Sequence, residues 1–112
     1  VGTYVVDYNT FMLVLSNVKY VEGGDSFTMA VKEDGTLWAT GVNKYGQLGT
    51  GNTNRTNVFV QVLSNIEYVA CGARHTIAME KDGVLWVTGN NSYGQLGTGD
   101  TTDTNTFIKT YK

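Results

Sequence analysis

Tyr45-Gly46-Gln47-Leu48-Gly49-Thr50-Gly51 recurs as Tyr93-Gly94-Gln95-Leu96-Gly97-Thr98-Gly99, the same heptapeptide 48 residues further on. The offset holds outward from both copies. Trp38 returns as Trp86, Asp34-Gly35 as Asp82-Gly83, Thr40-Gly41 as Thr88-Gly89, and Tyr20-Val21 as Tyr68-Val69. About half of residues 16–60 are identical to their partners 48 positions later, with no gap. A fixed period of this length marks a repeat architecture with one supersecondary unit per repeat.

The unit reads as β. In the second copy, Ile66–Cys71 is a strand-like run ending at Gly72, and His75–Glu80 follows with Ile77 and Met79 alternating at period two. Lys81-Asp82-Gly83 interrupts, and Val84–Thr88 resumes the pattern around Trp86. Asp-Gly between two alternating runs predicts a tight hairpin of type I′, with φ positive at both residues. Asp34-Gly35 repeats it between Thr28–Val31 and Thr36–Ala39. The glycine-rich stretch after each Trp strand is read as an ordered loop, anchored in the first copy by Tyr45 and Leu48. A polar arm, Asn52–Asn57, then leads to a fourth run, Val58–Leu63.

Four antiparallel strands in a unit of this size make a propeller blade. The expected fold is all-β: residues 16–63 form one blade and 64–112 a second. Residues 1–15 hold an extra strand around Tyr4-Val5-Val6 and, from Phe11 to Leu15, the orphan outer strand of a preceding blade. Trp38 and Trp86 should be equivalent and largely buried. Apolar positions such as Leu37, Ile77 and Leu85 require cover, and two blades leave an outward face at each end. The chain is therefore expected to belong to a longer ring, or to associate head to tail as a homo-oligomer.

Composition narrows the function. The 112 residues carry a formal charge of −2, with 8 Lys and Arg scattered along the chain. That balance, with a pI near 5.1, argues against a nucleic-acid partner. No apolar run has the length of a membrane span, and no basic-then-apolar start reads as a signal peptide. An Asn-, Thr- and Tyr-rich chain without proline is similar in composition to bacterial surface arrays, which favours an extracellular or cell-surface setting. The single cysteine, Cys71, stands where the first copy has Gly23, and reads as a small buried filler.

Gly72-Ala73-Arg74-His75-Thr76, Asp82-Gly83, Trp86 and Asn91-Ser92-Tyr93-Gly94-Gln95-Leu96-Gly97-Thr98-Gly99 together resemble the repeat of the regulator of chromosome condensation family. The first copy complies, with Phe27-Thr28 in place of His-Thr. Thr40-Gly41 and Thr88-Gly89 stand where the family often has aromatic-Gly, and Asn57 and Asn105 where its polar arm has proline. The resemblance implies β-propeller blades, in rings commonly of seven, closed by an outer strand from one terminus. It also implies an interaction platform. The founding member is an exchange factor for a small GTPase on chromatin, and a secreted bacterial relative inhibits β-lactamases. Those activities live in loops peculiar to each protein.

No catalytic constellation emerges. His75 has no second histidine to join it, and Phe27 takes its place in the other copy. The Gly-Gln-Leu-Gly-Thr-Gly loops lack the Gly-Lys-Ser/Thr and following helix of a phosphate cradle. Asp34 and Asp82 are turn residues. Function should therefore sit where the copies disagree in loops, which singles out Phe27, Lys44, Arg55, Arg74 and Asn90 as candidate partner contacts. Arg74 leads, because arginine is enriched at interface hot spots. The sequence reading is a non-catalytic protein-interaction or structural module, without cofactor or metal, meeting a protein partner or copies of itself. The alternatives are an exchange-factor-like regulator of a nucleotide-binding protein and a secreted enzyme inhibitor.

Overall fold

The computed structural model describes residues 15–110, so the expected strands upstream of Leu15 fall outside the described residues. The first sheet comprises β1 (Val18–Gly23), β2 (Phe27–Lys32), β3 (Leu37–Gly41) and β4 (Thr56–Leu63). The second comprises β5 (Ile66–Cys71), β6 (His75–Glu80), β7 (Leu85–Gly89) and β8 (Thr104–Thr110). Each is an antiparallel meander in chain order, which is the β-propeller blade. The register repeats with the sequence: Ala30 faces Trp38 across β2 and β3, and Ala78 faces Trp86 across β6 and β7. Even the bulge recurs, between Val18 and Tyr20 in β1 and between Ile66 and Tyr68 in β5.

The Asp-Gly hairpin differs from the expected turn. Gly35 and Gly83 have φ of 87° and 94°, while the preceding aspartates are not in the left-handed region. The Gly35 N–H donates to the Lys32 carbonyl at 2.9 Å, and the Lys32 N–H donates to the Thr36 carbonyl at 2.9 Å. This is a three-residue loop, a type I turn closed by one left-handed glycine. Asp34 serves it differently, its Oδ1 accepting from the Thr36 N–H at 3.0 Å and the Thr36 hydroxyl at 2.6 Å. Those donors hold the Asp34 carboxyl below its ordinary range.

Two residues, Ser64 and Asn65, join the blades, and Asn65 turns the chain at φ 62°. So short a link lays the second sheet directly against the first. The main core fills the space between them: Met29, Val31, Leu37, Ala39 and Leu48 from one side meet Ile66, Val69 and Ala78 from the other. Tyr20 and Tyr68, equivalent in the two copies, meet edge to face at 5.6 Å. The outer face of the first sheet carries a smaller cluster of Leu15, Val18 and Ala30 with Trp38 and Phe59. On the second sheet Ile77, Met79 and Leu85 stay half-buried, whereas their counterparts Met29, Val31 and Leu37 are fully enclosed. The two tryptophans are only partly buried, less than expected, and each indole N–H donates to a side chain of its own blade: the Thr36 hydroxyl for Trp38, the Glu80 carboxylate for Trp86.

Candidate functional site

The residues with the most specific geometry lie in the β3–β4 connection of the first blade, where it meets the second. Asn43 organises it. Its buried amide donates to the carbonyls of Asn52 at 2.9 Å and Asn54 at 3.0 Å, and its Oδ1 accepts from the Leu48 N–H at 2.9 Å. Gln47 adds an acceptor for the Tyr45 N–H at 2.9 Å. Asn91 and Gln95 repeat this in the second blade. Leu48 anchors the loop fully buried, while Tyr45 is only half-buried.

The first loop then docks on the second blade. Thr76 on β6 donates its hydroxyl to the Gln47 carbonyl at 2.8 Å, and Thr88 on β7 donates to the Gly46 carbonyl at 2.7 Å. The Gly51 N–H donates to the Asn105 carbonyl at 2.7 Å. Backbone approaches so closely that a Cβ on Gly46 would lie 2.5 Å from Asn105 Cα, and one on Gly49 2.3 Å from the Phe107 ring. Thr88, one of the departures from the family pattern, is thus a junction residue.

Of the sequence-derived contact candidates, Phe27 is interior, 3% exposed in the main core. Its ring packs against Gly24, as the His75 ring packs against Gly72; a Cβ on either glycine would be within 2.1 Å of the ring. Asn90 is also buried, its Oδ1 accepting from the Gln95 amide at 2.8 Å and the Ser92 N–H at 3.2 Å. Lys44, Arg55 and Arg74 are exposed, and the fold gathers them. Lys44 and Arg55 line one groove of about 500 Å³ with Val42, Asn43, Thr53 and Asn54. Lys44 Nζ and the Arg74 guanidinium lie over the Tyr45 ring, 5.7 and 5.2 Å from its centre.

His75 and Cys71 both lie half-buried on the second blade. Burial lowers the affinity of His75 for a proton, and no acid among the described residues orients it. Burial also pushes the Cys71 thiol up to about 12, so it carries no thiolate near neutral pH. Among the described residues no three His, Cys, Asp or Glu side chains gather as a metal site.

Comparison with known proteins agrees on the repeat. One family profile described as the regulator of chromosome condensation (RCC1) repeat matches residues 34–79. A second RCC1 repeat profile matches residues 18–47 and 66–95, together more than half of the chain. No curated protein matches in sequence. Among solved structures, human WBSCR16 superposes with a TM-score of 0.79 at 23% identity, covering 98% of this chain and 31% of its own. Yeast RCC1 (Prp20), solved bound to Kap60, gives 0.78 at 16% identity, covering 96% of this chain and 26% of its own. Prp20p from Saccharomyces cerevisiae, whose binding to Gsp1p and histones was examined with its structure, gives 0.68 at 19%, covering 86% and 27%. The chain thus spans about a quarter to a third of each of these structures.

Proposed function

We propose, for a chain that belongs to the family of regulator of chromosome condensation repeats, a non-catalytic role as a protein-interaction module built into a larger β-propeller. One observation carries the reading. The Gly46–Gly51 loop is fully engaged by the next blade, while its copy has nothing within 4 Å of a Cβ on Gly94, Gly97 or Gly99, and Tyr93 is 93% exposed. Glycines, carbonyls and an aromatic ring shaped to receive a blade are presented on an open face. The half-buried Ile77, Met79 and Leu85 lie on that side of the same sheet. Relatives reported with Kap60, Gsp1p and histones support protein partners as the class.

Light scattering at micromolar concentration tests the assembly. The expected result is a mass that is a multiple of 12.2 kDa, falling towards that value when Gly94→Glu and Gly97→Glu block the open loop. A cooperatively folded, stable monomer would show that two blades suffice and that the open face needs no cover.

A further inference from the structure

We propose that the groove beside the blade junction, walled by Lys44 and Arg55 of the first blade and continued by Arg74 across Tyr45, is a docking site for an acidic peptide segment of a protein partner. This rests on reading the chain as a protein-interaction module. It does not rest on assembly, because the junction lies within one chain.

Three observations carry it. First, the cations come from separate segments: Lys44 and Arg55 line the groove from the two ends of the first blade's β3–β4 connection, and Arg74 reaches over Tyr45 from the β5–β6 connection of the second blade. Second, the blade frame does not call for them. The equivalent positions in the other copy are Ser92, Asp103 and Ser26, on blades of the same register. Third, they are uncompensated. No carboxylate among the described residues lies within ion-pair distance of Lys44, Arg55 or Arg74. Two acids lie close by without pairing: Asp25, whose N–H donates to the carbonyl of Ala73 beside Arg74 at 3.0 Å, and Asp103, which shares a small hollow of about 130 Å³ with Lys44 and Tyr45. The Asp103 Oδ1 is already engaged by the Asn91 N–H at 2.7 Å.

Two like charges wall the groove and a third, Arg74, lies beyond it over Tyr45; they repel one another, and an incoming carboxylate relieves that repulsion. Arg55 and Arg74 offer forked donors suited to carboxylates, and Arg74 is held over the Tyr45 ring, which limits the freedom lost on binding. The groove is open, so an extended segment fits better than a small enclosed ligand. A chain with net charge −2 is a poor partner for a nucleic-acid backbone, whereas a local cationic groove on it still suits a short acidic stretch.

The test is fluorescence anisotropy of the full 112-residue chain with a labelled hexaglutamate peptide, in 50 and 200 mM salt. Hexaglutamine and a 12-base-pair DNA duplex serve as comparison probes. Hexaglutamate should bind, more weakly at the higher salt, and hexaglutamine should not. Lys44→Glu, Arg55→Glu, Arg74→Glu and the neutral Arg74→Gln should each weaken binding, the reversals by roughly fivefold or more. Lys19→Glu, an exposed cation on β1, should change it less than about twofold. Circular dichroism and scattering on each variant separate a lost site from a lost fold or assembly. The proposal is overturned if hexaglutamate does not bind, if Lys19→Glu matters as much as the groove reversals, or if the duplex binds more tightly than the peptide.

Discussion

One heptapeptide occurs twice in this protein with the same internal geometry and two different environments. In both loops the Asn at its start takes the N–H of the buried leucine, and the turns at Gly46 and Gly49 close with the same 3.0 Å bonds as those at Gly94 and Gly97. Yet Gly46 and Gly49 are pressed against the backbone and ring of the next blade, while Gly94 and Gly97 face open space. Loop shape is therefore a local property, set by Asn and Gln side chains bonding nearby backbone. Burial of the loop depends on its neighbour.

Alanine at the two equivalent glycines separates these contributions most sharply. Gly46→Ala must accept a left-handed φ of 79° and also displace Asn105 and Thr104 backbone at 2.5 Å. Strain and overpacking together should cost roughly 3 kcal/mol. Gly94→Ala has the same φ problem and no clash, so roughly 1 kcal/mol is expected. Urea unfolding of both variants measures the difference. Equal losses would mean that the first loop does not dock as tightly as the geometry says.

The junction hydroxyls give a smaller contrast. Thr88→Val removes a buried donor and leaves the Gly46 carbonyl without it, a loss of about 2 kcal/mol. Its counterpart Thr40 is half-buried and bonds only within its own blade, to the Thr56 carbonyl at 3.2 Å. Thr40→Val should cost below about 1 kcal/mol. If the two variants unfold at the same urea concentration, the inter-blade bond contributes nothing beyond an intra-blade one.

The four strands of each blade and their repetition were legible because period-two runs and the 48-residue offset act locally and repeat. The turn type was not: Asp-Gly suits both a two-residue and a three-residue hairpin, and the choice depends on which backbone groups pair. Reading Tyr45 and Leu48 as anchors caught the apolar half of the loop and missed Asn43 and Gln47, whose polar side chains are 1% exposed. Disagreement between copies proved a mixed signal for contact residues. At Lys44, Arg55 and Arg74 it picks out surface. At Phe27 it picks out interior and at His75 a half-buried ring, because either ring packs on the glycine three residues before it. A side chain's neighbours across the junction are not written in its own repeat.

The same pair of rings supplies the mildest comparison, and it is read with pH. His75 is partly buried against Gly72, and desolvation holds its pKa below the ordinary 6.5. The unfolded chain therefore takes up a proton near that value, whereas the folded chain does so only at lower pH. In the interval the unfolded state binds more protons, so stability rises with pH. The contribution of neutral His75 is complete above the unfolded pKa and is lost as pH falls through the folded one. Asp34, also shifted down, acts only in the acid range below its ordinary 3.8 and adds no slope near neutrality. His75→Phe puts in the second blade the ring that Phe27 already provides in the first, and that ring does not titrate. Urea midpoints at pH 8 and pH 5.5 should fall slightly for the native chain. The His75→Phe chain should lose less between the two, with no loss of stability at pH 8. Solvent reaching the half-exposed imidazole keeps the effect small. An identical fall in both chains would assign the slope elsewhere and leave the two rings equivalent at every pH.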